Sequence, residues 1–146
     1  MIIQQGSTGR DGHRHRLRVY YEDTDAGGIV YHANYLKFAE RARTEMMRAL
    51  GSDHGALRRN SGLTFVVRRC VADFRRPARL DDALDVWTRI VKLGGASLEL
   101  CQEVCRDDEL LVALDVRLAL LNAAHKPVRF PPALIAALVS QYKGRK

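Results

Sequence analysis

Residues 19–38, VYYEDTDAGGIVYHANYLKF, bring two aspartates, a Gly-Gly turn, a histidine and a helix start into one short stretch. A short apolar run ends in Glu22, Asp23, Thr24 and Asp25. Ala26, Gly27 and Gly28 make a turn, His32 follows, and Asn34 opens a helical pattern. A carboxylate can take a proton or attack an electrophilic carbon, and an imidazole can orient it or move a proton near neutrality. A helix start offers N–H groups with no partner inside the helix, and glycines let a ligand approach the backbone. Together these groups can hold a small active site. They also have a purely structural reading, because Asp and Gly build turns and Asn caps helices.

These residues need a frame. Alternation predicts a first strand over 16–21, with Leu17, Val19 and Tyr21 on one side. A helix is predicted over 34–50, stopped by Gly51, with Tyr35, Ala39, Ala42 and Met46 as its buried stripe. Lys37, Glu40, Arg41, Arg43, Glu45 and Arg48 fall on the polar remainder, and 52–61 reads as a short helical turn and loop. Four strands follow over 64–76, 83–93, 96–105 and 110–121. Pro77 ends the first of them and Gly94-Gly95 marks a tight hairpin. His125-Lys126-Pro127 is a loop, and Pro131-Pro132 introduces a C-terminal helix over 133–142. One amphipathic helix against a curved antiparallel sheet is an α+β solution, although another roll with a different strand order has the same spacing. The expected division is a flexible tail over 1–13 and a single domain over 14–146.

With 47% hydrophobic and 28% charged residues, the composition is that of a folded globule. No apolar run reaches membrane-spanning length and the N-terminus lacks a secretory pattern, so a cytoplasmic home is expected. Cys70, Cys101 and Cys105 lack metal-ligand spacing and read as reduced thiols. His13, His15, Asp23, Asp25 and His32 match no metal constellation either. The formal charge of +7 raises nucleic acid as a partner, but the basic residues are dispersed pairs, without a dense stripe or a recognition motif. A small phosphate-rich ligand suits them better.

The run from Tyr21 to Tyr35, YEDTDAGGIVYHANY, resembles the signature of the hotdog-fold acyl-CoA thioesterases. It is closest to the branch associated with the bacterial Tol-Pal cluster, with 4-hydroxybenzoyl-CoA thioesterases as relatives. The similarity continues through Glu40-Arg41-Ala42-Arg43, Phe65-Val66-Val67-Arg68, Pro77-Ala78-Arg79-Leu80-Asp81-Asp82 and the Gly94-Gly95-Ala96-Ser97-Leu98 turn, covering roughly 16–142. The resemblance implies a hotdog fold, a long helix wrapped by a curved antiparallel sheet. It implies an acyl-CoA thioester hydrolase with no cofactor, assembled as a dimer or tetramer with its sites between subunits.

By that resemblance Asp25 is the catalytic carboxylate, as general base or as nucleophile, and Tyr21 and His32 support it. The His32 backbone amide, or a neighbouring one, polarises the thioester carbonyl. Asp23, Gly28 and Val30 are assigned to substrate binding, with Asp23 bracing the turn. Lys92, Ser97 and Arg68 are candidates for the nucleotide phosphates of coenzyme A, beside backbone donors of a Gly-rich turn. Glu40 and Glu45 are rivals for the catalytic role, because some hotdog enzymes carry their carboxylate on the helix. Glu40 reads as an ion-paired structural residue. Phe74 stands where relatives carry tyrosine. No serine or cysteine sits in a nucleophile elbow. An acyl carrier protein is an alternative acyl donor. The non-enzymatic alternative is an oligomeric scaffold, binding RNA or an envelope complex.

Overall fold

The computed structural model describes residues 10, 12–50 and 62–142. The expected stop at Gly51, the 52–61 turn and most of the N-terminal tail lie outside them. The elements are β1 (His13–Arg18), a single 3-10 turn (Tyr21–Asp23), α1 (Asn34–Ala49), β2 (Thr64–Phe74), β3 (Ala83–Leu93), β4 (Ser97–Arg106), β5 (Glu109–Leu121), the two-residue β6 (Pro127–Val128) and α2 (Pro132–Tyr142). The sheet runs β1-β3-β4-β5-β2, with β6 beside β5 and every pairing antiparallel. One long helix on a curved antiparallel sheet is the hotdog arrangement, and the α+β expectation holds.

The alternating apolar residues of β3, β4 and β5 explain the core. Leu84, Val86 and Ile90, then Leu98, Leu100 and Val104, then Val112, Leu114 and Val116 all bury on one sheet face. Against them α1 lays Tyr35, Phe38, Ala39, Ala42, Met46 and Met47. Each large side chain so buried contributes about 1.5–3 kcal/mol. Ala39 and Ala42, 1% and 0% exposed, let α1 sit close over the sheet.

Two expectations need correction. The first strand does not span 16–21: it begins at His13, pairing with Thr88, and ends at Arg18. Val19 is buried, but Tyr21 is 83% exposed. The chain leaves the sheet because Asp23 turns its carboxylate back onto the Tyr20 N–H at 2.8 Å, closing residues 21–23 into a 3-10 turn. The second correction is Arg43. It belongs to the buried stripe of α1, not to its polar face, and is 9% exposed.

Candidate active site

The acidic run folds into a tight hairpin that ends at the start of α1. Thr24 bridges Val30, and Ile29 bridges Arg79 in the segment after β2. Within the hairpin the Asp25 N–H donates to the Ile29 carbonyl at 3.0 Å and the Gly28 N–H to the Asp25 carbonyl at 2.9 Å. Gly28 sits at φ +81°, a left-handed conformation that favours glycine. The Asp25 carboxylate is exposed, with one oxygen accepting from the Gly27 N–H at 2.8 Å. That bond is an Asx-turn contact and orients the carboxylate while leaving its other oxygen free of any bond among the described residues.

Asp23 has a different environment. It is 9% exposed, its carboxylate holds Tyr20, and its carbonyl accepts from the Tyr31 N–H (3.0 Å) and the Asn34 side-chain amide (2.9 Å). Asn34 therefore does not cap the helix: Ala33 is the N-cap residue, and no side chain caps it. The N–H groups of Asn34, Tyr35 and Leu36 turn back onto the carbonyls of Tyr31, His32 and Ala33 at 2.8, 3.2 and 3.1 Å. The N–H groups of His32 and Ala33 meet no acceptor among the described residues. They are open donors at the positive end of a 16-residue helix.

Beside them lies a cavity of about 240 Å³ lined mainly by Ile29, Val30, His32, Tyr35, Phe74 and Pro77. The His32 ring packs edge-on to Phe74 at 5.8 Å and lies 4.7 Å from the Tyr31 ring. Tyr35, 3% exposed, closes the floor and accepts the Ala78 N–H on its hydroxyl at 2.9 Å. Burial pushes the Tyr35 phenol pKa up, which keeps it neutral. Val30 and His32 thus share one cavity; Asp25 is outside its lining and is tied to the wall residue Ile29 by the backbone bond alone. Tyr21 projects into solvent outside the lining.

The phosphate candidates divide. Arg68 and Ser97 line one depression of about 460 Å³ with Val66, Ala96, Ala119 and Pro127. Lys92 stands one row along, opposite Glu99, outside that lining. The structure adds a residue that the sequence reading missed. The Arg129 guanidinium lies so close over the hairpin that a Cβ on Gly95 would collide with it, and the Phe130 N–H donates to the Gly95 carbonyl at 3.0 Å. No local pattern around Arg129 announces this contact, which joins segments more than thirty residues apart.

Of the helix carboxylates, Glu40 accepts from the Thr44 hydroxyl at 2.9 Å, in place of the expected ion pair, and Glu45 pairs with Arg48 at 3.3 Å. All three cysteines are free thiols. Burial raises the pKa of each, and pushes Cys105 up to about 12, so none is poised as a thiolate.

The sequence profile of the Thioesterase superfamily matches residues 27–113. The acyl-CoA thioesterase YbgC of Haemophilus influenzae is 43% identical over 122 residues, covering 83% of this chain and 90% of that protein. The acyl-CoA thioester hydrolase YbgC of an Escherichia coli O6:H1 strain is 41% identical, covering 87% and 92%. Among solved structures, a probable thioesterase from Bartonella henselae superposes with a TM-score of 0.80 at 41% identity, over 82% of this chain and 99% of that one. With the profile spanning more than half of its length and relatives this similar along most of it, the chain belongs to the hotdog-fold acyl-CoA thioesterase family, alongside the YbgC proteins.

Proposed function

We propose that the protein hydrolyses acyl-CoA to a free acid and coenzyme A, using Asp25 and the open amides at the start of α1. The observation that carries this reading is an exposed, oriented carboxylate one residue-pair away from an apolar cavity, with two unengaged N–H groups at its rim. The thioester carbonyl oxygen is held by the His32 and Ala33 amides, which stabilise the oxyanion as it forms. Asp25 either takes a proton from the attacking water or attacks the carbonyl carbon itself, giving an anhydride that water then opens. The C–S bond breaks in both routes. Coenzyme A departs as a thiolate, which needs little acid assistance, and is protonated in solvent. His32 positions the thioester against Phe74, and Val30 and Gly28 shape the approach. Tyr21 completes the rim only if a second subunit covers it.

A homo-oligomer with shared sites is part of the proposal. Arg68 lies six residues from Phe74 along β2, about 20 Å at the usual strand rise. Arg68 lies mid-strand and Phe74 at the end of β2, and the two depressions share no lining residue. A second copy joined along β2 brings the Arg68, Ser97 and Arg129 surface of one subunit toward the cavity of the other. Lys92 then serves at the margin of the phosphate site. The donor is acyl-CoA, with acyl carrier protein as a second donor of the same thioester chemistry. No helix among the described residues is long and apolar enough to cross a membrane; we place the enzyme in the cytoplasm, where coenzyme A esters are made.

Free-thiol release from acyl-CoA tests the assignment. Asp25→Asn should lower kcat by roughly two or more orders of magnitude, because it keeps size and turn bonding but loses the anion. Glu40→Gln should stay within about tenfold, as an exposed carboxylate bonded to Thr44. An active Asp25→Asn with a dead Glu40→Gln would move the catalytic carboxylate to the helix. Circular dichroism of both variants guards against unfolding.

A further inference from the structure

Arg43 is a largely buried charge, 9% exposed, that makes one hydrogen bond within the described residues. Its Nη1 donates to Gln102 Oε1 at 3.0 Å. Gln102, 0% exposed, is itself fixed, giving its amide nitrogen to the Ala39 carbonyl (3.0 Å) and the Thr88 hydroxyl (2.9 Å). A guanidinium carries five N–H donors, and one neutral acceptor engages it among the described residues. No carboxylate there forms an ion pair with it. Glu40 acts on it only through space, and its carboxylate is turned to Thr44. Burial pushes the Arg43 pKa down, with Glu40 and Cys70 opposing. None of the other Arg43 nitrogens is a sealed-off buried atom without a partner, so the spare donors reach solvent, where a ligand oxygen can take the place of water.

Two independent rulers place the guanidinium relative to the cavity. Phe74 lies opposite Val112, and both Gln102 and Ala72 lie opposite Leu114, so Gln102 is two residues further along the strand direction, about 7 Å, and two strands across the sheet, about 10 Å. On the helix, the Tyr35 ring meets Phe74 and the Ala39 carbonyl meets Gln102, a separation of four residues or about 6 Å. Counted from the His32 amide, the Ala39 turn is seven residues, or about 10 Å, down the helix. On the core-facing side of β2, Val67 and Phe74 are each 48% exposed, and Cys70, also exposed, lies near enough to feel the Arg43 charge. The cavity lined by Tyr35 and Phe74 thus lies one helix turn from the Ala39–Gln102 contact that holds Arg43, with the half-exposed β2 row of Val67, Cys70 and Phe74 alongside as the furrow that an acyl chain would follow.

We infer that Arg43 is a specificity-determining residue, whose guanidinium, held on Gln102 at the deep end of the α1–β2 furrow, receives an oxygen acceptor on the distal end of the acyl chain. The inference rests on the thioesterase reading. A chain ending in a carboxylate or hydroxyl completes the bonding of Arg43, whereas a methyl end leaves it desolvated. Sites built around a buried donor reject the analogue that lacks its partner more strongly than apolar pockets reject an extra methylene.

The test compares kcat/KM for suberoyl-CoA and octanoyl-CoA, which match in chain length and span the furrow. The protein should favour suberoyl-CoA by at least about fivefold, and Arg43→Met should lower that ratio by tenfold or more. Arg43→Lys, which keeps the charge but loses the fork, should fall between. A protein that favours octanoyl-CoA, or a ratio unmoved by Arg43→Met, overturns the inference and leaves Arg43 a structural residue. If Arg43→Met does not fold, the ratio in the unmodified protein alone decides. Hydrolysis of octanoyl-CoA with suberoyl-CoA ignored sinks this inference but not the thioesterase reading. Failure to cleave either ester while other acyl-CoAs release thiol sinks this inference alone, and no thiol release from any acyl-CoA sinks both.

Discussion

The two edges of the sheet are built on opposite principles. β1, HRHRLR, alternates basic residues outward, and these are clamped in place. Arg14 makes a two-pronged contact with Asp85 at 3.0 Å, Arg16 reaches the same carboxylate at 3.2 Å, and the Arg18 guanidinium donates to the Asp81 carbonyl at 2.6 Å. β2, TFVVRRCVADF, is almost twice as long and leaves Val67, Val71 and Phe74 exposed at 48%, 45% and 48%. Its Arg68 and Arg69 have no ion pair among the described residues. Charged edges discourage strand addition, whereas long apolar edges invite it. The contrast teaches that one edge is finished within the chain, while the other has the character expected of the edge at which we propose a second copy joins. The candidate active-site cavity opens on the unfinished side.

The sharpest way to break that contrast is to charge the β2 edge. Val67→Asp combined with Val71→Asp should shift sedimentation from oligomer to monomer and lower kcat/KM by about a hundredfold or more, because the shared site comes apart. Unchanged mass in the double variant, or an equal shift from Arg16→Gln in β1, would remove the distinction between the edges.

A smaller effect is expected at the Gly95 hairpin, next to the phosphate-side depression that β2 borders. Gly95→Ala displaces the mobile end of Arg129, not backbone, so stability should change by less than about 1 kcal/mol. KM for acyl-CoA should rise several-fold, and KM for a short pantetheine thioester should not. Parallel rises in both would show that Arg129 does not touch the nucleotide end.

On the finished edge, effects belong to stability alone. Arg14 is 41% exposed at its side chain, and Arg16 can still reach Asp85, so Arg14→Gln should cost no more than about 1 kcal/mol in a denaturant melt. Oligomer mass and activity should be unchanged.

The smallest effect concerns acid. Asp82, the last residue of the β2–β3 connection, feels burial pushing its carboxyl up, but the Arg79 N–H and the Arg106 guanidinium at 2.7 Å outweigh it and hold its pKa below the ordinary value. A depressed carboxyl contributes stability that is complete above the unfolded pKa of about 3.9 and fades as pH falls through the folded value. Asp82→Asn should therefore lower Tm slightly at pH 7, by an amount that shrinks once the pH drops below about 4. A Tm gap that widens in acid would reverse this assignment.

Much of this was legible in the chain itself. The strand 83–93 was read to the residue, because Leu84, Val86 and Ile90 alternate without interruption and Gly94-Gly95 ends them. The helix 34–50 differs by one residue at its end. The first strand was displaced by three residues because Val19 and Tyr21 continue its alternation, while the Asp23 carboxylate, which ends it, acts on backbone and leaves no periodic trace. The Asp25 turn and the open helix start lie within a dozen residues, so local spacing exposes them. Arg129 over Gly95 and Phe74 against His32 are contacts between distant segments, and no spacing rule reaches them.

Alternation decides which face of each strand is apolar, and the three-and-four spacing of apolar residues from Tyr35 onward marks the helix, since both follow from local backbone geometry. That was enough to specify the α+β order, the hairpin carrying Asp25 and the amides at the start of α1. Sheet order was not specified, because spacing does not say that β2 pairs with β5 and so becomes an edge. Burial of Arg43 was not specified either: its position on α1 suits the polar face or the buried stripe, and only the arrival of Gln102 from β4, 59 residues away, draws it inward. Tertiary structure decided those points because edge exposure and desolvation depend on which distant surfaces meet.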